Sequence, residues 1–487
     1  MAALIWIALA LPLLLAALSF LLRRHSWTLW LPVAAAATLL VVGVALVVAV
    51  HLGGPLSTGA GLLRVDALSA WMLSVVGAVA VIALWAGIPH RADRQRSIGL
   101  FATLLALFLT AMALAVVADN LGLLWVAIEL TTITTAFLVG YRGGRGALEA
   151  AWKYVVLGSV GIAIAFLGIV LLYAASRGTG EPSLSWLGLL ESAARLDPAL
   201  TRAAGALTVL GFATKVGLAP MHSWLPDAQS QAPAPVSGLM SGVLEAVALY
   251  AILRVQAITD AAIGPELVRG MLVTAGLLSL GVAAAMSLTQ KDYRRLLAYS
   301  SMEHMGLLAL GVAAGGPLAL AAVLLHMLGH GLAKSTMFVL AGRVLGTVGG
   351  HRISDVRNLL RRRPDLGAPF LLGAAALLGF PPFVTFFTEV AILVAGFGRG
   401  LGWQMALAGV LLLAMFAGFA RHVLAMTVGS DPDPVTPDPE ALMPDRPTVF
   451  RQVPVVIALG LSAVLAFAAW PLVGVLTDAV AALGGTR

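Results

Sequence analysis

Cysteine is absent from the 487 residues, so the chain can carry no thiolate-held iron–sulfur cluster, no c-type haem and no disulfide. Any redox chemistry coupled to it belongs to a partner. Charge is nearly as scarce: 11% of residues are Asp, Glu, Lys or Arg, against 60% hydrophobic, and mean hydropathy is +0.97. No soluble domain carries such a composition without precipitating. Apolar runs of about 20 residues, rather than short alternating segments divided by turns, predict helices that cross a bilayer and not a barrel. The fold class expected is therefore all-α, polytopic and membrane-embedded. Among the 30 basic residues only four are lysines.

The N-terminal stretch "MAALIWIALALPLLLAALSFLLRRH" has no basic n-region, and its apolar run is too long for a signal peptide. It is expected to be a retained first span. Apolar runs and the loops that punctuate them predict fourteen spans, at roughly 3–22, 27–50, 67–89, 98–118, 121–140, 151–174, 201–220, 236–256, 265–288, 295–314, 317–342, 366–398, 401–425 and 452–477. With both termini outside, nineteen basic residues fall in inner loops and eight in outer loops or the tail, Arg64, Arg254 and Arg487 among them. That bias obeys the positive-inside rule, and it accounts for the net charge of +7 without a nucleic-acid partner. The membrane expected is the inner, or plasma, membrane of a prokaryote.

Three lysines remain inside predicted spans: Lys153, Lys215 and Lys334. Arginine stays protonated in any protein environment, whereas a desolvated lysine can be neutral and a nearby carboxylate can restore its charge. Lysine is thus the basic residue that can switch. The spans also hold Glu129, Glu245, Glu303, His304, His326, His330 and Glu389. An ionisable group at a helix centre costs ~2.5–3.5 kcal/mol on insertion scales. Paired ions can serve as glue between helices, but an extended set alternating acid, lysine and histidine favours a proton path.

In "HMLGHGLAK", His326, His330 and Lys334 are spaced i, i+4, i+8 and share one helix face. Two histidines one turn apart can ligate zinc. That segment offers no carboxylate or cysteine as a third ligand, however, and a lysine one turn on repels a cation, so no metal is expected there. His222 is expected in the loop after the seventh span, where a surface or capping role is as compatible as a functional one, with Asp227 five residues on placed to orient it. The seventh and twelfth spans are expected to be broken at "VGLAPMHSW" and "LLGFPPFVTFFTEVAIL", since discontinuous helices at membrane depth are tolerated where the gap is packed by protein or hydrated.

The spacing also holds a repeat. Glu129 precedes Lys215 by 86 residues, and Glu303 precedes Glu389 by 86. Spans five and seven are echoed five spans later by ten and twelve, an odd offset that makes the copies opposite in orientation. The organisation expected is 1–97 for three N-terminal helices, 98–256 for a first half-channel repeat, 265–425 for an inverted second one, and 426–487 for a polar linker and last helix.

"LLWVAIELTT", "GFATKVGLAPMHSWLPDAQSQAPAPVSG", "LLAYSSMEHMGLLALG" and "HMLGHGLAKSTMFVLAG" resemble the antiporter-like, proton-translocating subunits of respiratory complex I, of membrane-bound group 4 [NiFe]-hydrogenases and of Mrp-type Na+/H+ antiporters. "SSMEHMG" and "IELTTITTAFLV" most resemble the hydrogenase-4 component F type. The resemblance implies two half-channels joined at mid-membrane by a polar axis. Residue by residue, it makes Glu129 the fifth-helix glutamate, Lys215 the seventh-helix lysine, His330 and Lys334 the eleventh-helix pair and Glu389 the twelfth-helix terminal group. The chain departs at the eighth helix, where Glu245 stands at or beside the place of a lysine or histidine. The partners implied are other membrane subunits and a peripheral redox arm. Nickel–iron, iron–sulfur or flavin centres are expected only in those partners, and no cofactor in this chain. Rival expectations are an Mrp-type antiporter subunit, an inorganic-carbon uptake subunit and a scaffold that moves nothing. A scaffold has no use for lysine over arginine. A path lined by lysine and histidine repels sodium, which wants several oxygen ligands.

Overall fold

The computed structural model describes residues 1–88, 98–429, 449–467 and 470–484. Arg91, Arg94, Arg96 and Arg446 of the inner-loop count, Arg487 of the outer count and residues 430–448 of the polar linker lie outside these ranges. In chain order the helices are α1 (Ala3–Leu21), α2 (Trp30–Gly53), α3 (Ala67–Ala86), α4 (Ile98–Val117), α5 (Leu121–Val139), α6 (Arg145–Ser176) and the short α7 (Trp186–Glu191). Next come α8 (Pro198–Val216), α9 (Trp224–Gln231), α10 (Ala234–Leu239), a π-helical turn at Met240–Leu244, α11 (Glu245–Ile263), α12 (Glu266–Thr289), α13 (Tyr293–Ala314) and α14 (Gly316–Val348). The remainder are α15 (Leu359–Arg362), α16 (Pro364–Leu377), α17 (Val384–Gly398), α18 (Gly402–Thr427), α19 (Val449–Phe467) and α20 (Val473–Ala481). A small hairpin, β1 (Leu56–Thr58) against β2 (Leu63–Val65), links α2 to α3.

Twelve helical stretches among the described residues are long and apolar enough to cross a bilayer. The seventh and twelfth expected spans are each in two pieces. The first break follows Gly217, whose φ of +83° ends α8 in a left-handed cap, and Pro220 then has no N–H with which to resume the helix. At the second, Gly379 (φ +62°), Pro381 and Pro382 separate α16 from α17. Both interruptions fall where the proline-bearing motifs predicted them.

Packing sorts the helices into an interior and a rim. The stretch from α10 to α11, α13 and the middle of α14 are buried, whereas α1, α6, α12 and α18 present leucine, valine and aromatic side chains outward. A bilayer accepts such a surface, and water does not. Association between helices already in lipid gains little from hydrophobicity, so close approach depends on small residues. A Cβ at Gly242 would lie 3.0 Å from the Gly331 carbonyl oxygen, and one at Gly331 would lie 2.8 Å from that of Gly242. The helix carrying Glu245 therefore meets the helix carrying Lys334 at backbone distance.

Arg254 corrects the topology count. Assigned from the sequence to an outer loop, it lies inside α11, because that helix runs on to Ile263, and it is fully buried. Its guanidinium donates to both carboxylate oxygens of Asp66, the N-cap of α3, at 2.6 and 2.8 Å, and rests 3.9 Å from the Trp186 ring centroid. Burial alone would raise the Asp66 carboxyl, but Arg254 and the bond from Ser69 outweigh it and hold the group below the ordinary carboxylate value. The pair ties α3 to α11, and removing either member would leave a buried charge, a loss of about 3–5 kcal/mol.

Candidate proton-path residues

Lys215 occupies the last turn of α8, where unsatisfied carbonyls favour a cation, and the indole of Trp224 takes up one of them by donating to Thr214 O at 2.8 Å. The lysine is fully buried. Its Nζ donates to Thr132 Oγ1 at 2.7 Å and to Tyr154 OH at 2.8 Å. Thr132 in turn donates to Glu129 Oε2 at 3.2 Å, and Ser159 donates to Glu129 Oε1 at 3.0 Å. Lysine and glutamate are thus joined through one hydroxyl, which can accept a proton from one and pass its own to the other. A Cβ at Gly158 would stand 3.6 Å from Nζ, an ordinary contact, so α6 passes beside the ammonium. Glu129 is only half-buried and opens into a groove of about 510 Å³ between α5 and α6.

Glu245 stands at the first position of α11, directly after the π-helical turn. A π turn holds one residue more than an α turn and shifts the register of the helix beyond it. The carboxylate is fully buried and accepts from Gln229 Nε2 at 2.5 Å, while its Oε2 has no hydrogen-bond partner among the described residues. Ser301 donates to Gln229 Oε1 at 3.2 Å and lies 2.6 Å from Ser241. Gln229 therefore joins α9, α11 and α13. Lys334, on α14, donates to the Leu297 carbonyl at 2.7 Å, and its charge is met by Glu303 and Glu245.

The third cluster lies beyond Lys334. His326 Nδ1 is 2.8 Å from Thr388 Oγ1, whose own proton goes to the carbonyl of Thr385 or Val384 at 2.9 or 3.0 Å. The network therefore assigns the proton to His326 Nδ1 and leaves its Nε2 to accept from His304 Nδ1 at 3.1 Å. His304 Nδ1 is 3.8 Å from Glu389 Oε1. The ring of His330 lies 4.7 Å from that of His304, centroid to centroid, and is stacked on His326 at 6.1 Å. A metal set that no single segment could supply is thus assembled from three helices: His304, His326 and Glu389 have ligand atoms all within 4.8 Å of one another.

Glu389 is placed by Gly379. A Cβ on that residue would overlap the Glu389 carboxylate, and its φ of +62° suits glycine. Gly379→Ala is expected to cost roughly 1–2 kcal/mol in the backbone, too little to dismantle the complex, yet to push the carboxylate from its place. Transport through the assembled complex should fall at least about tenfold, since a misplacement of about 1 Å can cost 100-fold. Unchanged transport at normal yield would show that the placement of Glu389 does not matter.

Three supporting residues stand apart. Lys153 is not interior: its side chain is 45% exposed and pairs with Glu149 at 2.6 Å and Asp227 at 3.0 Å. Asp227 lies in the first turn of α9 rather than in a loop. It does not orient His222, because its other oxygen accepts from Arg295 at 2.8 Å. His222 is half-buried in the break, with Nδ1 unpartnered among the described residues, and burial lowers its imidazole from the ordinary value, partly offset by a bond involving the Pro220 backbone. Charge guided the sequence reading, so it missed Thr132, Tyr154, Gln229, Ser301 and Thr388, the neutral groups that link the charged ones. Only Thr132 left a local signal, three residues after Glu129 and so on the same helix face.

The family described as NADH:quinone oxidoreductase/Mrp antiporter, transmembrane, matches residues 118–416, from the start of α5 into α18. The chain belongs to that family. It is 40% identical over 314 residues to a hydrogenase-4 component F homolog of Methylacidiphilum infernorum, covering 63% of this chain and 66% of that protein. It is 32% identical over 332 residues to the NADH-quinone oxidoreductase subunit N of Desulforudis audaxviator, covering 67% and 65%. The chain thus spans just under two thirds of the length of these relatives. A subunit of the membrane-bound sulfane sulfur reductase, an archaeal respiratory membrane complex, superposes with a TM-score of 0.87 at 24% identity, over 98% of this chain and 97% of that one, and shares the fold.

Proposed function

We propose that the chain translocates protons as a membrane subunit of a multi-subunit redox complex, of the group 4 hydrogenase or formate hydrogenlyase type or else of the NADH:quinone type. One observation carries the reading: a fully buried lysine is bonded to two hydroxyls and separated from a half-buried carboxylate by one of them. Glue would bring the two charges into contact. A relay benefits from a hydroxyl that can exchange protons with both. Protons enter from the cytoplasmic side near Lys215, pass Glu245 and the His330/Lys334 face, and leave past Glu389, through two inverted half-channels. Both termini face outward, in the plasma membrane of a prokaryote. Further membrane subunits and a peripheral arm carrying the metal or flavin centres complete the machine. The likeness to the hydrogenase-4 component F homolog favours the hydrogenase type.

The competing reading is an Mrp-type antiporter subunit, which the family description includes. The interior lysines and histidines weigh against sodium, a hard cation that seeks oxygen ligands. The test uses the intact complex in inverted vesicles. Acidification driven by its electron donor in sodium-free medium is expected, together with a co-purifying redox arm. A strict sodium requirement, or a complex made only of further antiporter chains, would replace the proposal with the Mrp reading.

A further inference from the structure

We infer that His304, His326 and Glu389 form a binding site for a borderline divalent transition metal, with Zn2+ its best-suited ion. In a tetrahedral zinc site with bonds of about 2.0–2.1 Å, neighbouring ligand atoms stand about 3.3 Å apart. His304 Nδ1 is 3.1 Å from His326 Nε2 and 3.8 Å from Glu389 Oε1, and all three ligand atoms fall within 4.8 Å of one another. Shifts of a few tenths of an ångström at the first two edges, with a closer approach of Glu389 to His326, would seat the ion. Two imidazole nitrogens with one carboxylate suit zinc and its transition-metal neighbours and disfavour sodium, magnesium or calcium, which take oxygen.

Two further features separate this cluster from a chance meeting of polar groups. The first is the support behind His326. Its Nδ1 is anchored by Thr388, whose hydroxyl is spent on a backbone carbonyl, so the Nε2 lone pair is aimed at the centre of the set. Metal-binding histidines are characteristically held in this way through their second nitrogen. The second is His330, buried to 1% exposure, with an Nε2 that has no partner among the described residues and a ring packed on both other imidazoles. It packs against the set without joining it, so water would take the fourth position.

The objection from charge has an answer in the tertiary structure. Lys334, one turn beyond His330, would repel a cation if its ammonium pointed along the same face. Its Nζ is bonded to the Leu297 carbonyl and its charge is opposed by Glu245 and Glu303, which lessens a repulsion still felt at His304 and His330. Glu389 keeps 16% side-chain exposure. An ion held there would bind α13, α14 and α17 to one another and, by occupying Glu389, would close the exit proposed for protons, so loaded and transporting states exclude each other.

The test is equilibrium binding of Zn2+, and of Co2+ as a spectroscopic probe, to the purified complex with no electron donor present, so that it does not depend on transport. A bound ion with a histidine-rich shell by X-ray absorption is expected. Binding should be lost in His326→Gln and in Glu389→Gln, and be about 10- to 100-fold weaker in Thr388→Val, which touches only the supporting bond. His51→Gln, at an exposed histidine paired with Asp478 at 2.6 Å, should leave it intact. Thr388→Val also decides the matter if the ligand variants fail to assemble. Absence of binding in the unaltered complex, binding undiminished in Thr388→Val or His326→Gln, or binding lost with His51, would each overturn the assignment.

Discussion

A complex carrying Lys215→Met is expected to assemble normally, and inverted vesicles containing it are expected to stay unacidified when the electron donor is supplied. Methionine fills nearly the same length in the pocket beside Gly158, so packing is kept. The hydrogen bonds of Glu129 also survive, because they come from Thr132 and Ser159 and not from the lysine. Removing one member of a buried ion pair usually costs about 3–5 kcal/mol through the stranded charge. Glu129 is half-buried, opens onto a groove and keeps two hydroxyl donors, so the loss here should be well under that. Transport should nevertheless fall to background, because the basic group bonded to the Thr132 bridge is gone. Lys215→Arg should fail almost as completely: the guanidinium restores the charge but does not release its proton. Acidification at the wild-type rate in either variant would refute the role given to Lys215, and full activity of the arginine variant would favour a scaffold.

Glu245→Gln should separate relay from glue at the centre of the molecule. Glutamine preserves the shape and can keep a hydrogen bond to Gln229 through an amide pair, so the junction between α9 and α11 should hold. If Glu245 hands protons between the half-channels, the variant complex should be stable and transport should drop at least about 100-fold, the lower range for loss of a positioned acid–base group. If Glu245 is instead a fixed counter-ion, Lys334 is left with Glu303 alone. The cost of about 3–5 kcal/mol for a stranded buried charge then shows as lost assembly. The unpartnered Oε2 favours the first outcome, since a group that serves only as glue would have both oxygens bonded. Gel migration of the complex and the acidification rate together distinguish the cases. A stable complex transporting at full rate would remove Glu245 from both roles.

Much of the architecture was legible in one dimension because lipid imposes a one-dimensional rule. Every backbone amide in the bilayer must be bonded within its own helix, so apolar length alone announces a span, and glycine and proline announce where one is interrupted. The breaks at Gly217–Pro220 and Gly379–Pro382 arise where a glycine at positive φ is followed by proline, whereas Pro12 and Pro369 lie inside unbroken helices. The buried lysines, acids and histidines were legible for a related reason: an ionisable group costs so much at membrane depth that its presence there is itself a signal.

What each of those groups touches was decided only by the fold. Helix packing placed Thr132 between Lys215 and Glu129, set Gln229 against Glu245, and turned Arg254 from a loop residue into the buried partner of Asp66. It also bonded Lys334 to the Leu297 carbonyl and brought His304, His326 and Glu389 together from three helices. Span length and insertion cost are sums over neighbouring residues, which a sequence contains in full. Hydrogen bonds and ligand geometry depend on distances of a few ångströms between side chains on different helices, and these exist only once glycine contacts, a π turn and two broken spans have set the helices in register.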